Sequence, residues 1–460
     1  MSAEWRKFNL GDLTDWSSGG TPSKKNTEFW IGTIPWISAS SMRSTRYSES
    51  ELKITPEGLK SGSRLAPMGS ILLLVRGSIL HQKIPVGITT RDVAFNQDVK
   101  AIQIKRHLVD SEVIDNWYLF YWFKANEKLL LSIVESTGIG AGKLDTKQLQ
   151  GLEVDVPSWG EQQQIVACCK AIEEKEIINA QINQTLEQIA QAIFKSWFVD
   201  FEPVKAKIAA LEASGSQDDA LLAAMQVISG KDPQQLTQLQ TESPEHYTTL
   251  RATAELFPAG MQESELGEIP EGWEASTVGA EFDVTMGQSP PGSSYNESGE
   301  GSVFFQGRRD FGVRFPSNRV YCTEPKRMAK QGDTLLSVRA PVGDVNIASA
   351  GCCIGRGLAA IRHKTGCSSF TYYSVIHLGH ALASYDSEGT VFGSINQKNL
   401  NSLLVIAPTK KALEIFSNIV GKLDDRIKAQ SNEMLALAEL RDTLLPKLLS
   451  GELSVNQDVE

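Results

Sequence analysis

No stretch of this chain approaches the roughly 20 consecutive apolar residues that a membrane-spanning helix needs, and no secretory leader precedes Trp5. A cytoplasmic protein without a membrane partner is the expectation. Cysteine is scarce: the six residues Cys168, Cys169, Cys322, Cys352, Cys353 and Cys367 form two adjacent pairs but no Cys-x-x-Cys. That pattern argues against a zinc knuckle or a disulfide framework and for ordinary reduced thiols. The histidines are scattered, and His377 and His380 have no acidic or cysteine companion at metal-ligand spacing. No metal site is expected.

Catalytic signatures are missing as well. The string Gly138-Ile139-Gly140-Ala141-Gly142-Lys143 looks like a phosphate-binding loop but lacks the four-residue gap before its Gly-Lys and the following Ser or Thr, since Thr137 precedes it and Leu144 follows. A methyltransferase would need a glycine-rich cofactor turn and an Asn/Asp-Pro-Pro-Tyr/Phe loop, and a nuclease would need clustered carboxylates with a lysine. None of these stands out, so no catalytic, cofactor-binding or metal-binding residue is expected on this chain.

What the chain does have is two copies of one pattern. Trp5, Gly11, Gly19 and Pro22 recur as Trp273, Gly279, Gly287 and Pro290, each 268 residues on. Gly69 and Arg76 recur as Gly332 and Arg339, and Gly138, Gly142, Leu149 and Pro157 as Gly389, Gly393, Leu400 and Pro408, with the offset drifting to 251 as unequal loops require. A period this long exceeds the roughly 20 to 50 residues of a solenoid repeat. It marks a duplicated domain, and two copies of one surface let a protein touch two places on one partner.

The net charge of −10 discourages a nucleic-acid reading until it is divided along the chain. Residues 1–158 hold 19 basic and 17 acidic side chains and residues 270–408 hold 12 of each, whereas the acid is concentrated in 159–269, with 7 basic and 17 acidic. Whole-chain charge is therefore a poor guide to what the repeats touch.

Within each repeat, short β-rich runs such as Ile71 to Val75 and Thr334 to Val338 alternate with Gly, Ser and Pro turns. Helical stretches follow around 112–135 and 368–384, and a last strand ends at Pro157 or Pro408. The fold class is α+β. After each terminal proline the period becomes helical: Ile178, Ile182, Leu186, Ile189 and Ile193 in one copy, Leu423, Ile427, Met434, Leu437, Leu440 and Leu444 in the other. Two such helices of about 35 residues, about 50 Å long, are expected to pack on each other through these seams, a length that suits a spacer; the alternative is that each helix covers only its own domain's core. The polar segment 205–262 reads as short helices or a mobile linker, with Ser214-Gly215-Ser216 and Ser229-Gly230 as breakers.

Cations and hydrogen-bonding side chains gather in loops. Thr21, Lys24 and Lys25 sit in the first glycine turn, Ser38, Ser40, Ser41, Arg43 and Arg46 follow Trp36, and Arg76 ends a strand. In the second repeat Gln288, Ser289, Ser293, Tyr295 and Asn296 occupy the matching turn, Gln306, Arg308, Arg309 and Arg314 come next, and Arg339 matches Arg76. Arg and Gln can read base edges bidentately, while Lys, Ser and backbone amides hold phosphates. A single one of these residues is most simply a solvated loop residue. Shared loop regions with divergent residues are what two different readings of DNA require.

Three strings carry a family resemblance: QTLEQIAQAIFKSWFVDFEPV from Gln184 to Val204, SELGEIPEGW from Ser264 to Trp273, and LLPKLLSGEL from Leu444 to Leu453. Together they resemble the specificity subunits of type I DNA restriction-modification systems. The resemblance implies target recognition domains at 1–158 and 270–408, a central conserved helix at 159–204, a linker with short helices at 205–269, a distal conserved helix at 409–453 and a tail at 454–460. It implies that each of the two similar domains reads half of an interrupted double-stranded DNA site, and that they are separated by a pair of long, coiled-coil-like antiparallel helices with an internal pseudo-twofold repeat. Two methylation subunits would dock on the conserved helices, with Leu186, Ile189, Ile193, Phe194, Trp197, Leu437, Leu440 and Leu444 as candidate docking residues. Those subunits would use S-adenosylmethionine to modify adenine, and restriction subunits would add ATP- and Mg-dependent translocation and cleavage. The competing classes are an enzyme carrying its own methyltransferase or nuclease, which the missing motifs disfavour, and a protein-only helical adaptor, which leaves the polar loops unexplained.

Overall fold

A computed structural model describes residues 5–137, 140–213, 215–387 and 393–455. Gly138 and Ile139 of the glycine-rich string, Ser214, and the landmark Gly389 lie outside the described residues. The chain divides into two compact units, residues 1–180 with 431–460, and residues 181–430. Each is α+β, as the sequence pattern led us to expect.

In the first unit the strand Arg6–Asn9 pairs antiparallel with Glu153–Val156, tying the start of the fold to the residues just before a long helix. A helical turn, Leu10–Leu13, leads into Thr14–Ser18, the edge of a five-stranded sheet in the order 14–18, 99–104, 71–74, 86–89, 46–47. Ile71–Leu74 is buried at all four positions, which is why its sequence is a continuous apolar run and not an alternating one. Gly69, at φ 84°, makes the turn that admits this strand. A second sheet has the order 53–54, 34–37, 93–95, 64–66, in which Ile34–Ile37 and Val93–Phe95 run parallel. The helix Asn116–Ala125 buries Tyr118 to Phe123 without a break, and Asp115 caps it by accepting from the Trp117 and Tyr118 amides at 2.8 and 3.1 Å.

The second unit repeats this plan. Glu274–Thr277 pairs with Leu404–Ala407. A four-stranded sheet has the order 282–286, 358–363, 334–337, 345–347, and a second sheet again holds a parallel pair, Ser302–Phe305 with Cys352–Ile354. The helix Ser368–His377 takes the place of Asn116–Ala125. The segment after the first long helix is built from four helices, Glu202–Glu212, Gln217–Ser229, Pro233–Glu242 and Pro244–Glu255. Local signals start and stop them: capping boxes at Ser216 with Asp219 and at Asp232 with Gln235, and Gly230 at φ 66°. Leu221, Ala224, Met225, Leu236 and Ala254 give them a small core of their own.

The two long helices, Trp159–Phe198 and Lys410–Leu449, have 40 residues each, or about 60 Å at 1.5 Å per residue. In the first unit their segments meet antiparallel: Arg441 holds Glu176 at 3.0 and 3.1 Å, Asn179 donates to Glu433 at 2.8 Å, and Ile165, Val166 and Cys169 share a core with Leu445, Leu448 and Leu449. In the second unit Phe194 and Phe198 pack on Phe416.

These helices bury the expected apolar seam only in part. Ile427 is buried as expected and Ile193, Leu423 and Leu444 pack against the cores, but Ile178, Ile182 and Ile189 remain 49%, 36% and 44% exposed, and Ala190 and the polar residues Asn179 and Gln430 are buried as well. Periodicity marked an apolar face correctly but could not say what covers it. Asn179 and Gln430 are themselves repeat equivalents, 251 residues apart.

Candidate nucleic-acid interface

Four backbone hydrogen bonds gather the candidate loops of the first unit at one end of its sheets. Gly20 N donates to Phe95 O at 2.9 Å, Asn96 N to Ile37 O at 2.9 Å, Val75 N to Asp98 O at 2.9 Å, and Leu144 N to Val75 O at 2.9 Å. The second unit repeats each one: Gln288 N to Ile354 O at 3.0 Å, Gly355 N to Phe305 O at 2.8 Å, Val338 N to Gly357 O at 2.9 Å, and Ile395 N to Val338 O at 3.1 Å. The glycine at the head of each first loop is sterically required. A β-carbon on Gly19 would lie 2.1 Å from Phe95 O, and one on Gly287 would lie 2.1 Å from Gly355 O.

On this frame Lys24 and Lys25 are exposed in a turn, and Thr21 donates to Gln97 Oε1 at 2.7 Å. Ser38 and Ser41 cap a short 3-10 turn, Ser38 Oγ shares a hydrogen bond with Ser40 at 2.9 Å, and exposed Arg43 donates from Nε to Ser40 O at 3.1 Å. Arg76 is exposed on the strand Arg76–Gly77, in register with Lys143. Arg339, its equivalent, is exposed and bridges to Ser394, so each arginine lies two residues beyond a buried strand, Ile71–Leu74 or Thr334–Ser337, and is exposed there. Gln288, Gln306 and Arg309 are exposed, and Ser289 Oγ accepts from Arg356 N at 3.4 Å. Arg308 is half committed, ion-paired with Asp344. With Arg309, Phe311 and Asn346 these two residues line an open cleft of about 470 Å³.

Four of the candidates do other work. Tyr295 lies against Phe304 with ring centroids 4.8 Å apart and donates to Pro290 O, so it belongs to the local core. Asn296 closes its own loop through two 2.9 Å hydrogen bonds with the Glu300 backbone. Arg46 lies over Trp117 at 5.2 Å and faces Glu173 and Glu174 of the first long helix at 3.5 and 3.9 Å. Arg314, read with the loop cations of the second repeat, is buried between Glu187 and Asp424 of the two long helices and over Tyr372.

These two arginines are equivalents, and so are their partners. Arg46 and Arg314 are 268 residues apart, Glu173 and Asp424 are 251 apart, and Tyr121 donates to Glu173 at 3.2 Å as Tyr373 does to Asp424 at 3.4 Å. Burial works against the charge on Arg314, but Asp424, Tyr373 and Glu187 hold its guanidinium above the ordinary range. Burial pushes the Asp424 carboxyl up, outweighing the arginine beside it. In each unit the motif clamps the segment that carries the arginine to a long helix.

Two docking candidates are also spent internally. Phe194 and Trp197 are 7% and 3% exposed in the core of the second unit, packed on Phe370 and Phe257. Ile193 and Leu444 are half-buried against their own cores, and Leu186 and Leu437 are half-buried, while Ile189 and Leu440 stay exposed. The structure adds residues that the sequence reading passed over: Gln97 and Arg356, at equivalent places in the two frames, and Lys143, treated there only as part of a failed phosphate loop. The glycines on either side of Arg356 were the available signal.

Elsewhere the six cysteines are free, and burial pushes Cys169 and Cys352 up to about 12, the behaviour of inert thiols. Among the described residues no group of three or more His, Cys, Asp or Glu side chains could hold a metal ion, and no helix is long and apolar enough to cross a membrane.

The two units thus present unlike polar loops from matching positions on a duplicated frame. Residues 2–188 match the family model described as the type I restriction modification DNA specificity domain. The chain is 27% identical over 481 residues to the type I restriction enzyme HindI specificity subunit of Haemophilus influenzae, covering 98% of this chain and 100% of that one. It is 38% identical over 198 residues to the putative MjaX specificity subunit of Methanocaldococcus jannaschii, covering 42% and 47% of the two chains. The crystal structure of a type I restriction-modification S subunit from M. genitalium superposes with a TM-score of 0.54 at 14% identity over 97% of this chain and 96% of that one, which bears on the fold. Over residues 2–188 through the family model, and over nearly its whole length through the HindI subunit, the chain is similar to the specificity subunits of type I restriction-modification systems.

Proposed function

We propose that the chain reads a bipartite, interrupted double-stranded DNA sequence, one half with each repeat, and directs the methylation and restriction subunits of a type I complex to it. It is a recognition subunit and not an enzyme. The observation that carries this reading is the duplicated hydrogen-bond frame, which holds the candidate loops alike in both units while the residues on them differ. Lys24, Lys25, Arg309 and Arg339 carry no ion pair among the described residues and are the candidates for phosphate or base contact. A protein-only adaptor gives these cations no purpose.

Residues 1–158 and 270–408 are proposed as the two target recognition domains, 159–204 and 409–453 as the central and distal conserved helices, and 205–269 as the connection. Two methylation subunits would dock on the helices, using exposed residues such as Ile189 and Leu440. S-adenosylmethionine, ATP and Mg would be bound by partner subunits in the cytoplasm, with adenine as the methylated base. The purified chain, alone and with a methylation subunit, is tested for transfer of labelled methyl groups to plasmid DNA. We expect none from the chain alone and sequence-specific adenine methylation from the complex. Incorporation by the chain alone above a no-protein control would defeat this reading.

A further inference from the structure

At the end of the parallel strand pair in each unit two loops leave side by side. In the first unit Ile34–Ile37 runs into Ser38 while Val93–Phe95 runs into Asn96 and Gln97. In the second, Ser302–Phe305 runs into Gln306 while Cys352–Ile354 runs into Gly355 and Arg356. Each of the later loops is stiffened by its own means. Asn96 and Asp98 close a turn around Gln97, with Asn96 Nδ2 to Asp98 Oδ2 and Asp98 N to Asn96 Oδ1 both at 3.2 Å. Arg356 stands between two glycines that have no room to be anything larger, because β-carbons at 355 and 357 would lie 2.9 Å from Gln306 Cα and 2.6 Å from Gln306 O.

Both loops are also tied to the first glycine turn, Gln97 through its side-chain oxygen to Thr21 and Arg356 through its amide to Ser289. Both side chains are exposed, and Arg356 makes no ion pair among the described residues. A residue that only held the fold would be buried or would be of the same kind in both copies. Here the backbone is held alike and the exposed side chain differs. The two types present are those with bidentate partners in the major groove: glutamine for adenine N6 and N7, arginine for guanine O6 and N7.

We propose that Gln97 and Arg356 are equivalent specificity-determining positions, Gln97 reading an adenine in one half-site and Arg356 a guanine in the other. The proposal rests on the DNA-reading function proposed above. Complexes of a methylation subunit with the wild-type chain, Gln97→Arg and Arg356→Gln are expressed in cells, and their methylated sites are mapped genome-wide. Gln97→Arg should change one base of one half-site from A to G, and Arg356→Gln one base of the other from G to A, each by on the order of tenfold in preference, with all other positions kept. Active variants whose motifs match the wild type at every position overturn the proposal. Should a swap abolish methylation, selection of bound duplexes from a randomised pool by the purified complexes with Gln97→Ala and Arg356→Ala decides instead. Relaxation at one A and one G supports the proposal, and unchanged preference overturns it. A wild-type complex that yields no bipartite motif defeats the function on which the proposal rests, and the proposal with it.

Discussion

A cation in a polar loop looks the same in sequence whether it faces solvent or a carboxylate more than a hundred residues away. Arg46 and Arg314 show the difference: their loops are as polar as those of Lys24 or Arg309, yet Arg314 is 4% exposed and paired with both Glu187 and Asp424. Two signals did lie in the sequence, the 268-residue spacing of the arginines and the 251-residue spacing of Glu173 and Asp424, but nothing in it joined the arginine to the acid. Removing one partner of a buried pair strands the other, so Arg314→Met should destabilise the protein by about 3–5 kcal/mol. Adding Asp424→Leu to that variant should recover part of the loss, because an unpaired buried carboxylate is then replaced by an apolar side chain. Arg46 is more open, and Arg46→Met should cost less. Urea unfolding of the four proteins measures this, and a loss below about 0.5 kcal/mol for Arg314→Met, the range of an ordinary surface substitution, would show that the clamp contributes little to stability.

Elements were more legible than single residues, and the reason is burial. The runs ending in Val75 and Val338 announced buried strands, and the glycines before them announced turns, because both signals are local and the chain must obey them wherever it packs. The helical seam was legible only in part, for the opposite reason: an apolar stripe needs cover, but sequence does not say whether its own chain supplies it, and while Ile427 is buried, Ile178, Ile182 and Ile189 stay exposed. Packing around the strand Leu358–His363 yields a prediction of its own. His363, at its end, lies between Phe282 and Phe370 with centroids 4.9 and 5.3 Å away. Burial lowers its pKa below the ordinary 6.5, against the pull of Glu281. The unfolded chain therefore binds a proton that the fold resists, so the stabilisation is complete above the unfolded value and is lost as pH falls below about 6.5 toward the folded one. His377, also lowered by burial, acts in the same direction. The melting temperature should fall between pH 7.5 and pH 5.5, and His363→Gln should fall less over the same interval. Parallel pH dependences in the two proteins would show that this imidazole does not set the slope.

At the scale of the whole molecule, duplication extends to the helices: each has 40 residues, the first giving residues 159–180 to one unit and 181–198 to the other, the second 431–449 and 410–430. We propose that this shared pair sets the gap between the two half-sites, since DNA offers equivalent groove faces about one turn, or about 34–36 Å, apart. Lengthening one helix alone would break the register of contacts such as Arg441 with Glu176, so both must change. Four residues inserted after Ala180 and four after Gln430 add to each helix about 1.1 turns and about 6 Å, which is roughly two base pairs at a rise of about 3.4 Å. Because the addition is close to a whole turn, helix faces remain nearly in phase and the clamps at Arg46 and Arg314 stay inside their own units. The variant complex should methylate the same half-sites at a gap roughly two base pairs longer. Methylation mapping in cells that carry the variant with its methylation subunit reads both quantities at once: altered half-sites would implicate the recognition loops in the defect, and an active complex with unchanged half-sites and an unchanged gap would remove the helices from the measurement of distance.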